Sequence, residues 1–89
     1  MATDYDFRWN RWNIEHATKH GCDIREIELV VNAGGRGFPR KQGDGKWLVQ
    51  GRGNGGRIVE VVFVKDDPPA NTIYVIHAMP LTTRRRRGR

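Results

Sequence analysis

One segment limits the fold more than any other. Residues 57–65 read RIVEVVFVK, which is rich in valine and apolar at successive positions except at Glu60. A strand that is apolar on both faces is buried on both faces, as happens in the interior of a sheet. We therefore predict that residues 57–65 form the central strand. With 89 residues, the chain has room for one sheet and one helical layer but no deep substrate cavity.

Two further strands are predicted beside the central one, at residues 46–50 (KWLVQ) and 72–78 (TIYVIHA). The DDPPAN sequence of residues 66–71 is typical of a turn, and Pro80 should stop the last strand. Two successive hairpins then make an antiparallel meander.

The glycines between the first two strands allow a second interpretation. Gly51, Gly53 and Gly56 match the G-x-G-x-x-G spacing of dinucleotide-binding proteins. That motif requires a helix directly afterwards, whereas a strong strand follows here. The Asn-Gly pair at Asn54 instead favours a hairpin turn.

Two helices are predicted ahead of the sheet. Within residues 10–20 the apolar or aromatic side chains recur every three or four positions, and Gly21 suits the left-handed end of a helix. This stripe begins one residue earlier, at Trp9, and continues with Trp12, His16, Ala17 and His20. A second helix is predicted at residues 24–32, where Asp23 is an N-cap and Glu26 its capping-box partner.

The predicted fold class is therefore α+β, with two N-terminal helices packed on one face of a small antiparallel meander of three strands, or of four. Residues 1–89 form a single domain. Residues 84–89 form a basic tail, or a short terminal helix capped by Thr82 or Thr83.

The net charge of +6 is concentrated at one end of the chain. Residues 1–83 contain 11 basic and 10 acidic side chains, so nearly all of the excess lies in the arginines that follow. Such a cluster is typical of an arm that binds a polyanion, although a solvated tail has the same composition. Residues 34–56 contain nine of the 11 glycines, together with Arg40, Lys41 and Lys46, which predicts turns and an exposed basic loop.

Several classes of protein are disfavoured. Cys22 is the single cysteine, so no internal disulfide can form, and its thiol has no visible catalytic partner. No targeting segment or membrane span is apparent, which makes the cytoplasm the expected location.

His16 and His20 could share a metal by spacing, but no further ligand completes the set, so we expect no metal. One should pack against the sheet and the other interact with the helix C-terminus.

The tryptophans and Glu60 are better explained by folding than by chemistry. Trp12 and Trp47 are expected in the core, and the sequence does not decide whether Trp9 is also buried. Alternatively, all three could stack on bases of single-stranded nucleic acid. Glu60 needs a partner on the neighbouring strand, and Lys46, Arg52 and Gln50 are the candidates.

His77 is the candidate for proton transfer, because an imidazole next to cations can exchange protons near neutral pH. Cleavage of RNA without a metal needs a proton acceptor, a proton donor and cations that stabilise the phosphorane. We predict that His77 acts with Lys46, Arg52 and Arg57. Further cations would bind the RNA backbone: Arg40, Lys41, Arg84, Arg85, Arg86 and Arg87. The alternative is that His77 is an ordinary surface residue.

The order of several short motifs resembles the BrnT toxins of bacterial type II toxin–antitoxin systems, which belong to the RelE-like superfamily. The motifs are FRWN with KHG near the start, WLVQGR and GRIVEVVF in the middle, and IHA before the arginine-rich end. The resemblance implies an endoribonuclease that uses no metal or other cofactor. It also implies a small ribbon–helix–helix antitoxin as partner, possible assembly as a heterotetramer, and no membrane association. The alternative is a non-catalytic module that binds nucleic acid or a protein.

Overall fold

The computed structural model describes residues 5–67 and 71–81, which form an α+β fold with two helices and a five-stranded mixed sheet. The elements in chain order are β1 (Asp6–Arg8), α1 (Arg11–Thr18), α2 (Ile24–Ala33), β2 (Arg40–Gly43), β3 (Lys46–Arg52), β4 (Ile58–Asp67) and β5 (Thr72–Pro80). A short 3-10 turn, Asn54–Gly56, joins β3 to β4. The predicted tail at 84–89 and the predicted caps Thr82 and Thr83 lie outside the described residues.

The strand order is β1-β5-β4-β3-β2, so the valine-rich strand β4 is central, as predicted. It pairs antiparallel with β3 on one side and β5 on the other, which confirms the predicted meander. The glycine-rich connection from β3 to β4 is a turn rather than the start of a helix of the nucleotide-binding type.

The expected count of three or four antiparallel strands is wrong, because two short strands extend the sheet at its edges. β1 pairs parallel with the first three residues of β5, and β2 pairs antiparallel with β3. β2 has the sequence RKQG and is exposed throughout, so it lacks the apolar alternation by which a strand is recognised. β1 has only three residues and pairs with a strand more than 60 positions away.

Both predicted helices are present; the second begins at its predicted cap, Asp23, and the first begins at Asn10, which was not predicted as a cap. Asn10 and Asn13 form a reciprocal capping box at the start of α1, and the Asp23 carboxylate accepts from the amide of Glu26 at 2.8 Å. At the other end of α1, Gly21 has φ +95° and its amide donates to the carbonyl of Thr18. The helices are therefore delimited by local interactions that sequence can specify.

The buried side of α1 differs from the predicted stripe. Asn13 and Ala17 are fully buried, whereas the Trp12 side chain is 49% exposed, so the prediction that Trp12 lies in the core is wrong. Both helices pack against strands of the meander, α1 mainly against β5 and α2 against β3 and β4. Trp47 is half-buried and packs against the core.

The core lies between α2 and one face of the sheet. Alternate residues of the strands supply it, among them Val49 on β3, Val61 and Phe63 on β4, and Val75 on β5. Ile27 and Val30 of α2 cover them. This period-two pattern on three neighbouring strands leaves the opposite face of the sheet for other residues.

A buried carboxylate joins α2 to the β3–β4 turn. Glu26 is 1% exposed, and its oxygens accept from the Arg57 guanidinium at 2.7 and 3.0 Å and from the amide of Asn54 at 2.7 Å. The predicted capping-box role of Glu26 is therefore wrong, since its carboxylate faces the turn. A Cβ on Gly53 would clash with this carboxylate, which explains the glycine there.

The Arg57 hydrogen bonds are the main reason that the pKa of Glu26 is lowered from its ordinary value of 4.5. A lowered folded-state pKa means that this group adds stability above pH 4.5 and that the contribution is lost as the pH falls through the lowered value. Burial and the neighbouring Glu26 raise the pKa of the Cys22 thiol, which is 1% exposed.

We predict that Glu26→Gln lowers the free energy of unfolding at pH 7 by about 1–3 kcal/mol, because a buried charge-assisted hydrogen-bond network loses its charge. Urea titrations at pH 7 and pH 4 measure the effect. The difference from the wild type should shrink at pH 4. Glu15→Gln, at an exposed position of α1, is the matched control and should change stability by less than about 0.5 kcal/mol. A Glu26→Gln loss that is equal at both pH values would contradict the account.

Candidate functional site

A register shift between β4 and β5 controls the direction of the His77 side chain. Phe63 pairs with Val75 and Val62 pairs with His77, so Ile76 is an extra residue on β5. Without it, Val75 and His77 would share a face, since strand side chains alternate. β-bulges commonly re-aim a side chain in this way, often beside active sites.

His77 consequently lies on the sheet face opposite the core. Directly paired residues share a face, and the pair adjacent to His77 and Val62, Val61 with Ala78, belongs to the core. Val62 is not part of that cluster. On the far side of Val62, Leu48 of β3 continues the row.

The His20 ring contacts the His77 ring. The two centroids are 5.6 Å apart and the ring planes meet at 66°, an edge-on arrangement. His20 is exposed and follows the end of α1, whereas His77 is half-buried. One of His16 and His20 was predicted to pack against the sheet, and this is His20. The other was predicted to interact with the helix C-terminus, but the His16 Nδ1 donates to the carbonyl of Trp12 at 2.7 Å, one turn earlier in α1.

Charged groups on two elements act on His77. Burial lowers the pKa of His77 below its ordinary value of 6.5; Glu60 opposes that shift, and His20 and Lys19 add to it. The lowered pKa favours the neutral imidazole, which is the form that can accept a proton.

Glu60 is held by one of the three partners that the sequence suggested. The Gln50 side-chain amide donates to Glu60 Oε1 at 3.3 Å, and the two residues are directly paired across β3 and β4. Glu60 lies two residues along β4 from Val62, on the same face of the strand, so it is a diagonal neighbour of His77.

The cations predicted to act with His77 do not converge on it. Arg57 is bound to Glu26 and also donates to the carbonyl of Gly21 at 3.0 Å. Arg52 is exposed and donates to the carbonyl of Gly56 at 2.9 Å. By strand register, Lys46 lies two pairs from Val62 in one direction and Arg52 four pairs from it in the other, about 7 and 13 Å along the strand.

The predicted RNA-binding cations of β2 are at the surface. The Arg40 guanidinium lies over the Phe38 ring at 4.6 Å, and the Lys41 ammonium lies 5.8 Å from the centroid of Trp47. Lys65 covers the same indole at 4.5 Å. Arg84, Arg85, Arg86 and Arg87 lie outside the described residues.

Sequence reasoning missed the pairing of His20 with His77. The two residues are 57 positions apart, and the local pattern of His20 indicates only a helix end. Trp9, whose place was open, donates from its indole to Glu28 of α2 at 2.9 Å.

Comparison with protein-family models, with curated proteins and with solved structures found no match to this chain. Among residues 5–67 and 71–81, no cluster of three His, Cys, Asp or Glu side chains is arranged to hold a metal ion. Neither described helix has the length and apolar character to cross a membrane. The site is therefore interpreted from its own geometry.

We predict that His77 titrates below 6.5 in the folded protein and that its partners move this pKa in opposite directions. Glu60→Gln should lower it further, because the carboxylate favours imidazolium, and His20→Ala should raise it. NMR titration of the three histidine rings measures each value. A His77 pKa at or above 6.5 would contradict the lowering by burial, and a pKa unmoved by both substitutions would show that Glu60 and His20 do not interact with His77.

Proposed function

We propose that this protein is a metal-independent endoribonuclease, the toxin of a type II toxin–antitoxin system similar to BrnT, and that a small ribbon–helix–helix antitoxin neutralises it. The observation that carries the proposal is the contact between His20 and His77, two imidazoles with centroids 5.6 Å apart, one of which has its pKa lowered by burial. The resemblance of the sequence motifs to BrnT supports the same reaction class.

The two histidines provide both proton transfers of RNA cleavage. His77 accepts the proton of a ribose 2′-hydroxyl, and the 2′-oxygen attacks the adjacent phosphorus. The bond from phosphorus to the 5′-oxygen then breaks, and His20 donates a proton to that leaving oxygen. The products are a 2′,3′-cyclic phosphate and a 5′-hydroxyl, so atoms and charge balance. A positioned proton donor or acceptor typically accelerates such a step by about 10²–10⁴.

Charge near the pair would stabilise the phosphorane. Lys19 is exposed and acts electrostatically on His77, so it is close to the place where charge develops. Lys46 and Arg52 lie on β3 to either side and are suited to flanking phosphates. The arginines of 84–89 would add a sequence-independent hold on the backbone.

A non-catalytic nucleic-acid-binding module is the second candidate. The favouring observation is that Arg57, which was predicted to act with His77, is instead bound to the buried Glu26. A module of this kind would bind RNA through the same basic groups without cleaving it. Cleavage therefore separates the two functions.

We predict that the purified protein cleaves single-stranded RNA in EDTA and that His77→Ala and His20→Ala each lower the rate at least tenfold, since each removes one proton transfer. Gel analysis of an end-labelled oligonucleotide measures the rate. Arg25→Gln, which removes an exposed cation from α2, should retain the wild-type rate. Intact RNA after long incubation with micromolar wild-type protein would favour the binding module.

The toxin assignment has its own test. Expression in bacteria should arrest growth, and co-expression of the product of the adjacent gene should relieve the arrest. If the protein cleaves RNA in vitro but its expression leaves growth unaffected, the nuclease proposal stands and the toxin proposal is wrong.

We predict that replacing the five arginines of 84–89 by glutamine flattens the salt dependence of RNA binding. Five phosphate contacts on a single strand give a slope of about −3.5 in log affinity against log salt concentration, and this slope should be lost. Fluorescence anisotropy between 50 and 200 mM salt measures it. An unchanged slope would show that the arginines of 84–89 do not contact the RNA, as expected for a solvated tail.

A further inference from the structure

Trp12 is exposed in an arrangement that holds it in one orientation. Its indole stacks on the His16 ring, with centroids 3.8 Å apart and planes 18° apart. On β5, the Tyr74 ring is nearly parallel to the indole, at 15° and 6.4 Å between centroids. Among the described residues, Trp12 and Leu29 are the large hydrophobic side chains that are exposed.

Hydrogen bonds fix the groups around the indole. The Tyr74 hydroxyl donates to the Asn10 side-chain oxygen at 3.1 Å, and Asn10 also caps α1. His16 is tied to the carbonyl of Trp12. A planar surface that is ordered in advance loses little conformational entropy when a ligand stacks on it.

The position of the indole relates it to the histidine pair. Trp12, His16 and His20 are spaced by four residues along α1 and its C-terminal turn, so they follow one side of it. Tyr74 and His77 share a face of β5, because their partners Val64 and Val62 are two residues apart on β4. The Trp12–Tyr74 pair and the His20–His77 pair therefore lie at opposite ends of one strip, about 12 Å apart.

Cations accompany the rings. The Arg8 guanidinium lies 5.9 Å from the Tyr74 centroid, and Arg11 and Lys19 are exposed on α1 and directly after it. Aromatic faces for bases together with cations for the backbone are the means by which proteins hold single-stranded nucleic acid.

We propose that Trp12 is a stacking platform for a base of single-stranded RNA, seated a few nucleotides from the phosphate at His20 and His77. The inference rests on the proposed function for the nature of the ligand. It adds a subsite that acts in binding rather than in proton transfer. It also predicts a preference for unpaired RNA, because the faces of bases inside a duplex are already stacked.

The test measures binding without cleavage. A fluorescein-labelled ten-nucleotide RNA with 2′-O-methyl groups lacks the attacking hydroxyl, so anisotropy reports affinity alone. Trp12→Ala should raise Kd about fivefold or more, as loss of one base–aromatic stack does. Trp12→Phe keeps an aromatic face and should stay within about twofold of the wild type. Leu29→Ala is the matched control on α2 and should not change Kd. Circular dichroism checks that each variant is folded.

The same oligonucleotide annealed to its complement provides the second arm. Trp12→Ala should leave duplex affinity unchanged. Equal losses for single strand and duplex would mean that the substitution acts through charge or folding, and this would overturn the proposal. Single-strand affinity unchanged in Trp12→Ala would overturn it too and would assign the exposed ring to a protein contact. The nuclease proposal is tested separately. If it is wrong, the wild-type protein leaves ordinary RNA intact, but the differences in Kd between the variants are still measured.

Discussion

The offset in pairing between β4 and β5 determines which side chains of β5 face the core and which face the opposite side of the sheet. Because Ile76 is an extra residue, Val75 and Ala78 both face the core although they are three positions apart. His77 is directed to the other face by the same offset. A regular strand would have to bury the imidazole or give up a core position, and either would cost stability in a sheet of this size.

Arg57 stabilises the fold, whereas the proposed function uses other cations. Arg57 completes the hydrogen bonding of the buried Glu26 and so fastens α2 to the β3–β4 turn. Among the described residues, other cations with exposed side chains include Lys19 after α1, Arg40 and Lys41 on β2, and Lys46 and Arg52 at the two ends of β3. The proposed chemistry therefore depends on two histidines for proton transfer and on dispersed cations for holding the polyanion.

Much of the fold follows from local sequence. Asn10 caps α1 without having been predicted to do so. The valine-rich β4, its neighbours β3 and β5, and the cap Asp23 are specified by side-chain pattern and turn chemistry, and all were predicted. β1 and β2 were not, because they owe their conformation to pairing with distant or adjacent strands and bury little. The candidate site was predictable only in His77. The contacts of His20, the burial of Glu26 and the exposure of Trp12 all depend on how α1 and α2 are placed against the sheet.

The central claim is that His20 and His77 act as a proton-transfer pair, and the pH dependence of cleavage tests it most directly. Single-turnover rates on one RNA, in EDTA, should give a bell-shaped profile in the wild type, since one imidazole must be neutral and the other protonated. The acidic limb should lie below 6.5, because burial lowers the pKa of His77, and His20→Ala should abolish the bell shape because it removes the proposed proton donor. A rate that rises steadily with pH in the wild type, or a profile unchanged in His20→Ala, would contradict the account.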